Sequence, residues 1–256
     1  MNKHDKPSRP RGCKDCIDGK PLGFDITMAF QPIVDPSDGS IFAYEALVRG
    51  VDGSGAGAVL SRVTEDNRYV FDQTCRVKAI EIATRLGIES NLSINFLPNA
   101  VYRPETCIRA TMQAADQYGM PVDRIMFEVT ESEPITDPDH LLGIFREYNQ
   151  RGFLTAIDDF GAGYAGLNLL SKFKPHILKL DMELCRGIAD HDVKRTITKG
   201  AVTTAHALDI RVIAEGIEYV EDLAVLRSFG VDYFQGYLIG KPEIESLPTP
   251  DFSAFS

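Results

Sequence analysis

Between Phe24 and Gly240 the chain alternates short apolar runs with longer segments of helical period. The runs are MAFQPIVD, IFAYEALVRG, LSINFLP, IMFEVTES, LTAIDDFG, HILKLDME, RVIAEGIE and YFQGYLIG. Helices are predicted around Tyr69 to Leu86, Glu105 to Tyr118, Leu141 to Gln150, Leu167 to Phe173, Asp192 to Leu208 and Val220 to Ser228. Strands joined by crossover helices pair in parallel. The first two runs are the exception, because PSDGS is too short for a crossover and makes them antiparallel. No linker-like break interrupts the alternation, which favours one closed barrel over two domains. The expected fold is α/β, a modified TIM (β/α)8 barrel with one antiparallel strand near the start, and the 256 residues suit the ~250 typical of that architecture.

With 44% hydrophobic and 25% charged residues and no long apolar run, the chain reads as a soluble protein with an ample core and no membrane span. The first two dozen residues lack an apolar signal region, so the cytoplasm is the expected compartment. Residues 1–24 read as a mobile arm and residues 25–256 as the folded unit. Five cysteines, an odd number, do not make a disulfide framework. Cys13 and Cys16 form a CxxC with only His4 nearby, half of a tetrahedral zinc set, and the arm is read without a metal. A net charge of −10 argues against general nucleic-acid binding.

The polar residues at the C-terminal ends of the runs carry the chemistry. Glu45 follows IFAY, Asn95 follows LSI, Glu128 follows IMF with Glu131 just beyond, and Asp158 and Asp159 follow LTAI. Lys179 follows HIL, Glu215 follows RVIA and Gln235 follows YF. In a barrel these ends converge on one rim. Any one carboxylate there could be a solvated turn residue or a cap. Several together repel unless protons or a cation neutralise them, and oxygen donors without His or Cys suit Mg²⁺ or Mn²⁺. Asp158 and Asp159 would point to opposite faces of a regular strand, so a twist or bulge must bring both to the rim. Asp158 could then bridge two ions, the arrangement used for phosphoester cleavage. Lys179 adds a point charge for a phosphate oxygen or a nucleophile.

Taken in order, YEALVRG, SINFLP, FEVTES, IDDFGAGY, ILKLD, VIAEGIE and FQGYLIGKP resemble the EAL-domain family of cyclic di-GMP phosphodiesterases, from about residue 26 to 242. The resemblance implies hydrolysis of cyclic di-GMP to linear 5'-pGpG by in-line attack of metal-activated water, with Mg²⁺ or Mn²⁺ in a two-metal site. It implies that Glu45, Asn95, Glu128 and Asp158 bind one ion, that Asp158 and Asp159 bind the second with Glu215 close by, and that Lys179 holds the nucleophilic water. Arg49 of the ExLxR pattern is similar to a substrate-contacting arginine, and Glu218 and Gln235 match supporting, substrate-side positions. Phe160, Gly161, Ala162, Gly163 and Tyr164 resemble a regulatory loop, which Glu131 would anchor, and a homodimer is implied; no regulatory partner is. Tyr164, Ala165 and Gly166 depart from the two serines many members carry after this tyrosine. The segment VDGSGAGAVLSRVTEDNRYVFDQ after Arg49 resembles a subgroup attached to light-sensing domains. The alternative within the family is a catalytically silent cyclic di-GMP receptor.

Overall fold

The first two strands decide how the sheet closes. β1 (Ile26–Asp35) and β2 (Ser40–Gly50) form an antiparallel hairpin in which Gln31 stands opposite Glu45. The computed structural model describes residues 22–130, 137–163 and 166–255. After the hairpin come α1 (Ala56–Leu60), α2 (Arg68–Arg85), β3 (Asn91–Asn95), α3 (Pro104–Cys107), α4 (Arg109–Tyr118) and β4 (Ile125–Thr130). They are followed by α5 (Pro138–Gln150), β5 (Leu154–Phe160), α6 (Gly166–Leu170), β6 (Ile177–Leu180), α7 (Met182–Cys185) and α8 (Asp192–Ala207). The chain ends with β7 (Arg211–Ala214), α9 (Val220–Ser228), β8 (Tyr233–Phe234) and β9 (Glu243–Ile244).

Strands β2 to β8 follow one another in parallel, and β1 pairs antiparallel with both β8 and β2, closing the barrel. The expected barrel with its reversed strand is thus the observed one. The sequence reading missed α1, α7 and β9, which are too short to show a period. It also ran α3 and α4 together, and they are parted only by Ile108.

Two apolar cores support the barrel. The larger lies between the barrel wall and the helices and includes Phe30, Phe127, Phe145, Tyr148 and Phe153. Side chains of this size contribute about 1.5–3 kcal/mol each when buried. The smaller fills the barrel's interior with Ile33, Ala43, Met126, Ala156, Ile177, Ile213 and Tyr233. Side chains alternate along a strand. Two residues further on, at the same face, stand Glu45, Glu128, Asp158, Lys179, Glu215 and Gln235. β1 runs the other way, so its counterpart, Gln31, comes two residues before Ile33. An apolar plug therefore forms the floor on which the polar residues sit.

Leu22 and Phe24 pack against the larger core, and the Arg62 guanidinium lies 4.1 Å from the centre of the Phe24 ring. Cys13, Cys16, Glu131 and Tyr164 lie outside the described residues. Among the described residues no helix is long and apolar enough to cross a membrane.

Candidate active site

Lys179 is fully buried at the end of β6, and its Nζ lies among four carboxylates. The distances are 2.6 Å to Glu215 Oε1, 2.9 Å to Glu128 Oε2, 2.9 Å to Asp158 Oδ1 and 3.7 Å to Glu45 Oε2. Burial alone would lower the Lys179 pKa, but Asp158, Glu128, Glu215 and Glu45 outweigh it and hold the group well above its ordinary range. The carboxylates pay for this crowding. Burial pushes Glu128 up against the pull of Lys179, with Glu45 and Asp158 adding to the rise. Glu215 is raised in the same way, by burial first and then by Asp158 and Glu45. One cation cannot neutralise four buried carboxylates, so the group binds protons or further cations.

β5 shows how two adjacent aspartates reach one place. Its pairing with β6 runs from Ile157 opposite Leu178 to Phe160 opposite Leu180, a register shift that spans both aspartates. Asp159 has φ 55, in the left-handed region. The bulge expected at this point is present, and it turns the Asp159 side chain away from the position that alternation would assign. Asp159 is half-buried, and burial, Asp158 and Asp181 raise its pKa to about 6. Beyond it, Phe160 is buried, while Gly161 has φ 102 and sits where any side chain would run into Leu184. Only glycine meets both demands without strain. Ala162 and Gly163 complete the described part of the loop.

The surrounding polar residues orient the cluster. Asn95 Nδ2 donates to Glu45 Oε1 at 2.9 Å, and Gln235 Nε2 donates to Glu45 Oε2 at 2.8 Å. A cavity of about 210 Å³ opens on these groups, with Glu45, Asp159, Glu215, Glu218 and Gln235 in its wall. Arg49 is not among the residues of that wall; its Nη1 donates to its neighbour's carbonyl, Val48 O, at 2.8 Å.

Among the residues of the wall that were missed in the sequence are Gln31, Asp181 and Arg186. Asp181 caps α7 by accepting from the Glu183 N–H at 2.7 Å and lies close enough to Asp159 to raise its pKa. It stands two residues beyond Lys179, on the same face, and that spacing was its signal. Arg186 donates to Glu218 Oε1 and follows the short helix α7, which left no periodic trace.

The carboxylates fall into two sets whose oxygens lie within 4.8 Å of one another: Glu45, Glu128 and Asp158, and Asp158, Asp159 and Glu215. Asp158 belongs to both. Clustered oxygen donors of excess negative charge fit hard divalent ions of the Mg²⁺ or Mn²⁺ type. Asn95 adjoins the first set through its Nδ2, which donates to Glu45.

The C-terminal mouth of this (β/α)8 barrel holds two overlapping carboxylate sets of the kind that can take divalent ions, which places the protein among barrels with an acidic rim site. Residues 23–242 match the model of the EAL domain, and the chain belongs to that family. It is 30% identical over 222 residues to the blue light- and temperature-regulated antirepressor BluF of Escherichia coli, covering 86% of this chain and 55% of BluF. It is 31% identical over 156 residues to the cyclic di-GMP phosphodiesterase PdeR of Escherichia coli, covering 61% of this chain and 23% of PdeR. The chain thus spans about half, or less, of the length of these curated relatives. Among solved structures, a standalone versatile EAL protein from Vibrio cholerae in its cyclic di-GMP-bound form is 51% identical with a TM-score of 0.89, over 92% of this chain and 100% of that one. A manganese and cyclic di-GMP complex of Klebsiella pneumoniae BlrP1 is 34% identical with a TM-score of 0.82, over 87% of this chain and 57% of BlrP1. The likeness to BluF agrees with the light-sensor-associated subgroup read from the segment after Arg49.

Proposed function

We propose that this chain hydrolyses one phosphodiester bond of cyclic di-GMP to give linear 5'-pGpG, with Mg²⁺ or Mn²⁺. The observation that carries this reading is the pair of carboxylate sets sharing Asp158 around buried Lys179. Glu45, Asn95, Glu128 and Asp158 would hold one ion and Asp158 and Asp159 the second, with Glu215 beside it. Ions bound there would supply Lewis acidity and lower the pKa of water. Lys179 contributes a buried positive charge that can donate to a phosphate oxygen or orient the attacking water. Gln235 keeps Glu45 aimed into the cavity, and Arg186 does the same for Glu218. Arg49, Gln235 and Glu218 are assigned to the substrate side, and residues 160–164 with Glu131 to a regulatory loop. Support comes from the cyclic di-GMP-bound relative from Vibrio cholerae and from PdeR, named as a phosphodiesterase. By family resemblance we also place the chain in the bacterial cytoplasm as a homodimer, which light scattering on the purified protein tests.

A second reading is a receptor that binds cyclic di-GMP without cleaving it, and BluF, named as an antirepressor, favours it. Incubation of the purified chain with cyclic di-GMP and Mn²⁺, followed by chromatography, separates the two. Formation of pGpG supports the enzyme; binding without product supports the receptor; neither binding nor product overturns both.

A further inference from the structure

Gln31 stands on β1, which runs against its neighbours β2 and β8, and it is 8% exposed. Its Nε2 donates to the Gly240 carbonyl at 3.0 Å. Its Oε1 accepts from Gln235 Nε2 at 3.3 Å, and the same Gln235 nitrogen donates to Glu45 Oε2 at 2.8 Å. The polarity of this chain is forced from both ends. A backbone carbonyl can only accept, so Gln31 must turn its NH₂ to Gly240 and its oxygen to Gln235. A carboxylate also only accepts, so Gln235 must turn its NH₂ to Glu45. Reversing the Gln31 amide would set two acceptors against each other at one contact, and reversing the Gln235 amide would do so at two.

We propose that Gln31 is a positioning residue that fixes the Gln235 amide and, through it, the direction of the Glu45 carboxylate for a divalent ion. The inference rests on the metal reading of the site given above. One consequence supports it within the structure: Gln235 is 4% exposed, and its Oε1 has no hydrogen-bond partner among the described residues. The amide is held with its NH₂ toward Glu45 and Gln31 although its oxygen is left without a partner. Gly240 also ends the turn after β8, where its N–H donates to Gly236 O at 3.0 Å. The bond from Gln31 therefore ties that turn, the reversed strand and the carboxylate set into one unit.

The test is Mn²⁺ binding by titration calorimetry on the full chain, without nucleotide, in a double-mutant cycle. Gln31→Met keeps the volume and removes both hydrogen bonds; Gln31→Asn keeps an amide that is one methylene too short to span Gly240 and Gln235. Both are expected to weaken Mn²⁺ binding about 10- to 100-fold, the usual cost of losing an outer-shell partner. In a Gln235→Met background the further change at position 31 is expected to have no effect, because its route to Glu45 is already cut. Wild-type Mn²⁺ affinity in both Gln31 variants, or an equal loss with and without Gln235, overturns the proposal. So does unchanged Mn²⁺ affinity beside weakened cyclic di-GMP binding in a separate titration with the nucleotide, which would make Gln31 a direct ligand contact. A wild-type chain that binds no Mn²⁺ overturns the metal reading and this inference together, whereas a binding wild type with unaffected variants overturns this inference alone.

Discussion

Lys179 and Arg76 are both fully buried cations, yet their surroundings are built in opposite ways. Lys179 faces four carboxylates at the edge of a cavity. Arg76, on α2 behind the barrel wall, faces one: its Nη2 lies 2.8 Å from Asp72 Oδ2. Asp72 also accepts from the Leu97 N–H at 2.9 Å and from Gln73 Nε2 at 3.0 Å, and Arg76 Nη1 donates to the Tyr148 hydroxyl at 2.8 Å. The rings of Phe127, Phe96 and Tyr148 enclose the guanidinium at 5.0, 5.4 and 5.8 Å. The second group pairs one cation with one carboxylate, and it fixes α2 to the loop after β3. The first carries more negative charge than it can neutralise. A buried imbalance of that kind is held in place by the fold and is relieved only by something that arrives from outside.

Substitutions that break each group should therefore have different effects. The largest is expected at the mouth. Asp158→Ala or Glu45→Ala should reduce cyclic di-GMP turnover beyond the ~100–1,000-fold that follows loss of a single transition-state donor. The metal-free thermal midpoint should stay level or rise, because a repelling carboxylate is gone; near-normal turnover at saturating Mn²⁺ would contradict the assignment. Behind the wall, Asp72→Ala should cost about 3–5 kcal/mol in denaturant unfolding, since Arg76 is left buried without its counter-charge. Replacing both as Asp72→Leu with Arg76→Met should recover much of that loss, and a double variant as unstable as the single would show that the pair is more than a balanced insertion.

The pH dependence sharpens the contrast. The folded-state pKa of Asp159, about 6, lies above its ordinary 3.8, so its contribution to stability is fully present below that ordinary value and is lost as pH rises through about 6. Glu128 and Glu215, also raised, continue the loss at higher pH. Without divalent ions the thermal midpoint should fall between about pH 5 and about pH 8, and added Mn²⁺ should raise it more at the upper end. A Mn²⁺ effect that is equal at both ends would mean the ions do not relieve this cluster. The smallest effect belongs to Tyr148→Phe, which removes one partner of Arg76 and should cost about 1 kcal/mol in the same unfolding measurement.

The sequence showed the barrel because its strands and helices are long enough to display their periods, and PSDGS was too short to be anything but a hairpin. It showed Glu45, Glu128, Asp158, Lys179, Glu215 and Gln235 because each follows an inward apolar residue by two positions on a parallel strand. Gln31 escaped the same rule because β1 is reversed, which moves its rim residue ahead of the plug residue Ile33. Asp181 lies just past the end of β6 as the cap of α7, where an aspartate reads as an ordinary helix cap. The balanced pair on α2 gave no signal at all: Asp72 and Arg76 are four apart on a helix, a spacing common to exposed salt bridges, and only tertiary packing buries them.

A crystal of the chain grown with Mn²⁺ and cyclic di-GMP, with diffraction recorded at a wavelength where manganese scatters anomalously, tests the central claim most directly. Two anomalous peaks are expected, one among Glu45, Glu128 and Asp158 and one among Asp158, Asp159 and Glu215, with Asp158 between them. Bound nucleotide with no manganese at either set would contradict it.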